Sequence, residues 1–412
     1  MNFFTRLFGY LKNVVIAISL GLTAETDMYF LAISFIGLFL IFVDVFDSIG
    51  IPHLVDIRKK GDWENFYKFS ALLLTLTTIL AISLSILAFI VSQFITSIVF
   101  IIDEHNKSLL VLNFYLLIPY LFFNFFFHHF GAIHRSINNF SIYFLGEFIF
   151  SFFSLIFIIL FLLVFDKNSI VLPISLSLAQ IISTIFILFF SRKFVKFVFF
   201  WDNRIKYIIK QFSILTVLYG ILHIFTLIDR SFATLLGEKN VSALSYGWMI
   251  ATIPRGIFKL ENILITPLSE VKGNLKKLNF YIKKIIFLFV PTSLAMFFLS
   301  PFFTKILFGY GNFEFLDFLL VSEAAKFYSL ALPFLFLWPI LYRVYQIKNK
   351  LAFLIFIALF GIITNLYLNY LFVIKINLGI KGICLGTFGA YVVLVIISYL
   401  FLLKISRREN NG

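Results

Sequence analysis

Residues 5–32 near the start of the chain, TRLFGYLKNVVIAISLGLTAETDMYFLA, predict what kind of fold the protein adopts. This stretch is apolar enough to enter a lipid bilayer, yet it carries the cations Arg6 and Lys12 and the acids Glu25 and Asp27. Comparable apolar runs recur along the chain, each long enough to cross about 30 Å of hydrocarbon as a helix. Because the runs are continuous, and because backbone in lipid must satisfy its own hydrogen bonds, they predict transmembrane helices.

Composition places the whole chain in the membrane class. Of its 412 residues, 61% are hydrophobic and only 13% are charged, against about 25% charged in ordinary soluble domains. The net charge of +14 is interpreted as cations of short loops and not as a surface for nucleic acid. The single cysteine, Cys384, excludes an intrachain disulfide and a thiolate metal site.

Loop charge predicts how the spans are oriented. The twelve predicted spans are 5–22, 28–51, 68–100, 109–133, 141–165, 169–191, 211–236, 243–266, 283–308, 323–342, 351–373 and 381–403. Cytoplasmic segments of membrane proteins are enriched in Lys and Arg. With the N-terminus placed inside, the inner segments hold 22 such cations and the outer segments 6. Both termini are therefore predicted to face the cytoplasm.

The outer loops are too short for an enzyme that works on the outer face of the membrane. Lipid-dependent glycosyltransferases place a catalytic acid in their first outer loop, so Glu25 and Asp27 keep that alternative open. The predicted loop around these two acids is only a few residues long, too short to build a pocket. We therefore expect no catalytic residue and favour a transporter over an enzyme.

Three short motifs recur at a nearly constant offset of 214–216 residues. The matching pairs are Gly21 with Gly237, Pro52 with Pro267, and Pro119 with Pro333. After six spans the chain is back on the same side of the membrane, so the two copies of each motif have the same orientation. The sequence therefore predicts an all-α membrane protein of two parallel six-helix bundles. The lobes are expected at 1–200 and 201–412. Two such lobes are typical of alternating-access transporters, and the major facilitator architecture fits these coarse facts equally well.

The basic segment 192–210 joins the two predicted lobes. If this segment is a helix, its apolar and cationic residues fall on different faces. That pattern favours an interfacial helix on the anionic inner leaflet. A plain basic connector fits the same pattern. Anionic membrane lipids are thus expected partners of this segment.

Motif order then points to a family. The motif residues near the start of the chain are Thr5, Arg6, Gly9, Tyr10, Lys12, Gly21, Ala24, Thr26 and Asp27. Further motifs are LIDRSFATLLGEKNVSALSYGWMIATIPRGIF at 227–258, ILFGYGNF at 306–313 and YRVYQIKNK at 342–350. In this order they resemble the MurJ/MviN-type lipid II flippases of the multidrug/oligosaccharidyl-lipid/polysaccharide exporter superfamily.

This resemblance implies two bundles around a cationic cavity that moves an undecaprenyl-diphosphate-linked saccharide from the inner to the outer leaflet of a bacterial cytoplasmic membrane. It also implies a monomeric transporter, without enzymatic chemistry, driven by a sodium ion or the membrane potential. Family members have fourteen spans where twelve are predicted here, and two family arginines are replaced, one by Leu40 and one within 246–249. Lipid II and a related lipid-linked saccharide both stay open as substrates, and a drug or solute exporter of the superfamily is the alternative.

Charged side chains inside spans are expensive and tend to face a cavity or a partner. We expect the diphosphate to be bound by cations, because charge-assisted hydrogen bonds offset its desolvation. The predicted diphosphate ligands are Arg6, Lys12, Arg255 and Lys259, and the predicted cavity acids are Asp27, Asp44, Asp47 and Glu261. Three alternatives stay open: Arg6 as an interfacial anchor, Lys259 paired with Glu261, and the two acids of the second span neutralising Lys12 or Arg255.

The resemblance also implies a sodium site between the seventh, eleventh and twelfth spans. The matching positions carry oxygen ligands, namely Asp229, Asn365, Asn369 and Thr387. Asn365 and Asn369 are four residues apart, so their side chains point the same way on a helix. The alternative is that these polar residues only hydrogen-bond to one another as glue between helices. The histidines His128, His129 and His223 are interpreted as packed, hydrogen-bonded residues.

Overall fold

In a computed structural model of the chain, the residues described are 2–97, 99–100, 103–164, 168–198, 203–257, 275–348 and 350–411. They form helices almost throughout. The first seven helices are α1 (Asn2–Leu20), α2 (Ala24–Lys59), α3 (Trp63–Val91), α4 (Glu104–Ser136), α5 (Phe140–Val164), α6 (Val171–Phe190) and α7 (Asn203–Thr234). The remaining ones are α8 (Asn240–Ala251), α9 (Ile253–Ile257), α10 (Leu275–Phe308), α11 (Phe315–Ser329), α12 (Leu332–Ile347), α13 (Leu351–Asn369) and α14 (Ile380–Asn411). A π-helical turn, Tyr370–Lys375, continues α13.

Eight of the described helices are long and apolar enough to cross a membrane, or nine if α11 and α12, which meet at 45°, form one broken span. The chain is therefore a multi-pass α-helical membrane protein, as its composition predicts. The count of twelve spans stays a prediction. Helix α3 ends at Val91, and a 3-10 turn, Ile95–Ser97, follows it.

The turn between α1 and α2 is tighter than the sequence suggests. Gly21 has a φ of 66°, a value that glycine adopts without strain, and it ends α1. Thr23 then caps α2, because its hydroxyl accepts from the Thr26 N–H at 3.2 Å while its own N–H donates to the Thr26 hydroxyl at 2.9 Å. Glu25 and Asp27 consequently lie in the first turn of α2 and not in a loop. The expectation that these acids occupy the first outer loop is wrong.

The connector 192–210 is not a single helix either. A short 3-10 turn covers Arg192–Phe194, residues 195–198 have no regular secondary structure, and α7 starts at Asn203. Phe194 is buried against His134 and the rings of Phe66 and Tyr67. Arg192 and the neighbouring Lys193 stack on phenylalanine rings by cation–π contacts. The single interfacial helix expected over the whole segment is therefore wrong. An anchored turn comes first, a stretch without regular secondary structure follows, and α7 begins at Asn203.

The chain divides into two compact units, Met1–His223 and Ile224–Gly412, with the division inside α7. The repeat-based lobes, 1–200 and 201–412, stay a prediction. In the first unit, Phe8 of α1 packs between Phe148 and Phe152 of α5, with ring centroids 5.6 and 5.7 Å away. In the second unit, Phe289 of α10 stacks on Phe336 of α12 at 3.7 Å. Such side-chain packing holds helices together where lipid removes the hydrophobic drive between them.

Candidate functional site

A buried carboxylate organises the second unit. Asp229 on α7 is only 4% exposed. Its Oδ1 accepts from Nδ2 of Asn369 at 2.9 Å and from Nδ2 of Asn365 at 3.2 Å. Its Oδ2 accepts from the Tyr328 hydroxyl at 2.9 Å and from the Thr387 hydroxyl. Among the residues that the structure describes, Asp229 has no cationic partner. A buried carboxylate without a counter-charge is costly, so the site favours a cation.

Local sequence explains how the ligands of Asp229 converge. Asn365 and Asn369 lie one turn apart on α13, which puts both amides on one face. Thr387 comes from α14, and Gly386 beside it leaves room for the Asn369 amide, since a Cβ at Gly386 would collide with Asn369 Oδ1. The π-helical turn begins directly after Asn369. Turns of this kind are frequent at functional sites.

The donor set fits a hard cation such as sodium. The Oδ1 atoms of Asn365 and Asn369 are buried and have no hydrogen-bond partner. Because the oxygen and nitrogen of an amide occupy similar volumes, a half-turn of either side chain would bring that oxygen beside the Asp229 carboxylate. Hard cations take such carboxylate, amide and hydroxyl oxygens. Within the described ranges, no group of three His, Cys, Asp or Glu residues is placed to hold a metal ion.

The structure brings Asp229, Asn365, Asn369 and Thr387 together, and the cation site predicted for these four residues stays a prediction. The fifth member, Tyr328, was missed by sequence reasoning. It lies in the last turn of α11, just before the bend into α12. No spacing signal links it to Asp229, which is 99 residues away in the chain.

The cations of α1 are the predicted diphosphate ligands of the first unit. Arg6 and Lys12 are both half-buried on α1, on either side of Phe8. Arg6 interacts electrostatically with Tyr10, one turn along the helix. Lys12 has no hydrogen-bond or ion-pair partner in the described part of the chain. A lysine without a counter-ion in an apolar helix is typical of a residue that meets an anionic ligand.

The predicted cavity acids lie in different environments. Asp27 is buried at the start of α2, and Asp44 is exposed. Asp47 pairs with Arg135 at 2.6 Å and with His128 at 2.9 Å, both on α4. The alternative that Asp47 neutralises Lys12 is wrong, because α2 turns this carboxylate toward α4. Sequence reasoning missed His128 and Arg135 as functional candidates. It interpreted His128 as a packed histidine and counted Arg135 among the cations of the inner segments.

The second predicted cation pair is only partly described. Arg255 is half-buried on the short helix α9. Helix α8 ends at Ala251 and α9 begins at Ile253, so Pro254 lies in the first turn of a helix, where a proline is tolerated because that N–H has no helical partner. Lys259 and Glu261 lie outside the described residues.

Nearly the whole chain matches a known protein family. A family model described as "Lipid II flippase MurJ" matches residues 16–409. The chain belongs to the lipid II flippase MurJ family. The "Probable lipid II flippase MurJ" of Aquifex aeolicus (strain VF5) is 27% identical over 383 residues, covering 89% of this chain and 76% of that protein. Its counterpart in Buchnera aphidicola subsp. Baizongia pistaciae (strain Bp) is 26% identical over 374 residues, covering 85% and 72%.

Solved structures show the same fold. One described as "Lipid II flippase MurJ, inward closed conformation" has a TM-score of 0.81 at 23% identity, covering 98% of this chain and 86% of that one. An inward-facing multidrug resistance MATE family transporter of the MOP superfamily also has a TM-score of 0.81, at 15% identity, covering 99% and 96%. The chain is thus a member of a transporter family with the MurJ and MATE fold, as its motif order predicts.

Proposed function

We propose that this chain is a flippase that moves an undecaprenyl-diphosphate-linked saccharide from the inner to the outer leaflet of the bacterial cytoplasmic membrane, without enzymatic chemistry. Its relatives carry the name lipid II flippase, and lipid II is the substrate that we infer first. The first-turn position of Glu25 and Asp27 supports transport over catalysis, because a capped helix start offers no loop to build a pocket around an acid.

The unpaired Lys12 is the observation that carries this proposal. A charge inside a span costs roughly 2.5–3.5 kcal/mol on translocon scales, and no described acid offsets that cost here. A lipid diphosphate supplies the missing counter-charge, and charge-assisted hydrogen bonds to it are stronger than neutral ones. Arg6 lies two residues before Phe8 on the same helix and serves as a second ligand nearer the helix start. Arg255, in the second unit, stays a predicted ligand of its own.

Removing the Lys12 charge tests this role. Lys12→Met keeps the length of the side chain and should abolish flipping of a fluorescent undecaprenyl-diphosphate saccharide in proteoliposomes. Its thermal stability should equal or exceed that of wild type, because the substitution removes an uncompensated charge from an apolar helix. Lys68→Met is the matched control, since Lys68 is exposed on α3 and pairs only with the neighbouring Glu64. Full flipping by Lys12→Met would end the assignment.

The identity of the saccharide needs a cellular experiment. The chain is expressed in a bacterium depleted of its own lipid II flippase, and the lipid-linked precursors on the inner leaflet are measured. If lipid II is the substrate, its accumulation is relieved by wild type and not by Lys12→Met. If growth fails while another lipid-linked saccharide is flipped in proteoliposomes, the substrate is a different member of the same class. Export of small cationic dyes that is insensitive to Lys12→Met would support a drug exporter instead.

Topology and partners are part of the same proposal. Both termini face the cytoplasm, the chain acts as a monomer, and the basic residues around 192–210 contact anionic lipid headgroups. The cation–π contacts of Arg192 and Lys193 hold two of these cations at one place on the surface. Reporter fusions should place residues 200 and 275 inside. Fusions that place either residue outside would reverse the proposed orientation.

Transport is driven by sodium bound near Asp229, by the membrane potential, or by both. Sodium would supply the positive charge that the buried carboxylate lacks. Asp229 then attracts the ion, the two asparagines turn their amide oxygens toward it, and Tyr328 and Thr387 orient the carboxylate. An inside-negative potential separately favours outward movement of an anionic headgroup, by about 2.3 kcal/mol per charge per 100 mV.

The sodium contribution has its own test. Flipping and thermal stability are measured against sodium concentration, with potassium at constant ionic strength as the control. Wild type should respond to sodium in both assays, and Asp229→Asn should respond in neither. If wild type flips its substrate without any response to sodium, the polar cluster only hydrogen-bonds neighbouring helices to one another. The membrane potential is then the remaining driving force.

A further inference from the structure

A network of charged side chains joins three helices of the first unit and has no role in the function proposed above. Its centre is Asp47 on α2, whose side chain is 13% exposed. Oδ2 of this carboxylate lies 2.6 Å from the guanidinium of Arg135 and 2.9 Å from Nδ1 of His128. Oδ1 of Asp47 is buried and has no hydrogen-bond partner.

Helix α5 holds Arg135 in this arrangement. The guanidinium lies 4.1 Å from the centre of the Tyr143 ring, and the Tyr143 hydroxyl donates to Glu147 at 2.7 Å. Nε of Arg135 donates to the carbonyl of Gly131 at 3.2 Å. A Cβ on Gly131 would lie 2.5 Å from Tyr143 Cδ2, so the bare glycine lets this ring approach. Arg135 is thus fixed on three sides and stays paired with Asp47.

The pairing with Arg135 determines which ring nitrogen of His128 carries hydrogen. A carboxylate bound to a guanidinium is ionised and only accepts hydrogen bonds, so Nδ1 of His128 must be the donor. Nε2 therefore carries the free lone pair. It has no partner among the described residues, and the side chain is 23% exposed. A carboxylate that accepts from one nitrogen of an imidazole fixes the orientation and the tautomer of the ring.

The surroundings of His128 carry an excess of negative charge. Asp44 and Asp47 on α2 act electrostatically on His128. Arg135 shares Oδ2 of Asp47 with it, and the ring of Tyr143, which donates to Glu147, lies 6.2 Å from its ring. His129 is its neighbour on α4. With the carboxylates ionised and the histidines neutral, the acids Asp44, Asp47 and Glu147 together with the one guanidinium carry a formal charge of −2. A proton on His128 reduces that charge to −1.

We propose that Nε2 of His128 is a proton-binding site of the first unit, and that the proton is bound together with the diphosphate of the substrate. One accessible nitrogen with a fixed lone pair suits a proton and not a metal ion, which needs several ligands. No group of His, Cys, Asp and Glu able to hold a metal is present in the part of the chain that the structure describes.

The coupling follows from charge. A proton from water forms an N–H bond at Nε2, and the imidazolium stays paired with Asp47. Helix α5, which carries Glu147, also packs on α1 through Phe148 and Phe8. Less negative charge near α1 lowers the repulsion that an anionic diphosphate meets as it approaches Lys12. Only this coupling step rests on the proposed function, while proton binding itself does not.

Proton binding is tested without substrate. The full chain is labelled with ¹⁵N-histidine, and the ring nitrogens are followed by NMR between pH 5 and 8. The His128 signal is assigned as the one that survives in each of the five other His→Gln variants. The Nε2 signal of His128 should change with pH as the proton is bound and released. A His128 signal that does not change between pH 5 and 8 would overturn the proposal.

Coupling is tested by the pH profile of flipping in proteoliposomes. Wild-type flipping should fall severalfold between pH 6 and pH 8, because loss of the proton restores the negative charge near α1. His128→Gln should flip slowly at every pH, and His128→Lys, which keeps a positive charge, should still flip at pH 8. His105→Gln is the matched control, because His105 is exposed at the start of α4, and it should keep the wild-type profile.

A merely structural His128 would lower flipping by the same factor at every pH. The proposal is therefore overturned if wild-type flipping is equal at pH 6 and pH 8, or if His128→Gln keeps the pH dependence of wild type. If wild type fails to flip any lipid-linked saccharide at any pH, the proposed function fails instead, and the NMR titration still decides whether the proton site exists.

Discussion

Gly386→Ala should disrupt the polar cluster around Asp229 from a position that bears no polar side chain. A methyl group at this position would collide with Oδ1 of Asn369 and lie 3.0 Å from its Cγ and 3.2 Å from its backbone nitrogen. Carbon atoms pack at about 3.5–4.0 Å, so α13 must move away from α14 or the Asn369 amide must leave the cluster.

The size of this effect has two parts. Overpacking a well-packed site costs about 1–3 kcal/mol. Loss of the 2.9 Å hydrogen bond from Asn369 to Asp229 adds about 0.6–1.7 kcal/mol, the range for hydrogen bonds between transmembrane helices. We therefore expect Gly386→Ala to destabilise the protein by about 2–4 kcal/mol and to remove the response of its thermal stability to sodium.

Gly389→Ala is the matched control on the same helix. A methyl group there meets only the end of the Leu368 side chain, whose Cγ stays 3.9 Å away, and a change of rotamer costs about 0.5–1.5 kcal/mol. Both substitutions gain the same helix propensity, so their difference reports the contact with Asn369. Unfolding is measured in detergent by tryptophan fluorescence, with sodium and with potassium. Equal stability of the two variants, with the sodium response intact in both, would refute this reasoning.

Three further predictions concern the second unit. Gly247→Ala should destabilise it by about 1–3 kcal/mol, because the new Cβ would lie 2.5 Å from Ala324 Cβ and 2.8 Å from the Ala325 nitrogen; unchanged thermal unfolding would show that α8 and α11 can separate without cost. Tyr328→Phe should cost about 0.6–1.7 kcal/mol and weaken the sodium response, since Asp229 loses one donor, whereas Tyr310→Phe at an exposed loop position should change neither. At the α7–α8 turn, the hydrogen bond that Lys239 donates to Glu314 raises the pKa of Lys239 and lowers the pKa of Glu314. Glu314 therefore adds stability at neutral pH that is lost as the pH falls through its lowered pKa, so Lys239→Met should lower the unfolding temperature at pH 7 and converge with wild type in acid; a constant difference at all pH values would contradict this pairing.

The candidate sites show where sequence reasoning succeeds. The i, i+4 spacing of Asn365 and Asn369 is a local property of one helix, and the resemblance to a family supplied Asp229 and Thr387 as their partners. The structure brings all four together. Lys12 was likewise recognisable, because a cation within an apolar run is visible in the sequence itself.

Pairings between remote helices were not predictable in this way. Asp47 meets His128 and Arg135 across 81 and 88 residues, and Tyr328 meets Asp229 across 99. The sequence of the second span does not show which cation its acids meet, so Asp44 and Asp47 could equally have paired with Lys12 or Arg255. The acids Glu25 and Asp27 were placed in a loop because hydropathy does not detect a tight capped turn.

The amino-acid sequence was enough to establish a multi-pass helical membrane protein, and the order of its motifs identified the family. Both follow from local properties: the apolar length needed to cross a bilayer, and the residues that stand in each segment. The tertiary structure alone decided which charges are paired, which amide oxygens have no partner and where a glycine lets two helices touch. These depend on the rotation and tilt of each helix against its neighbours, and many spans of similar apolar composition leave that rotation undetermined until side chains pack.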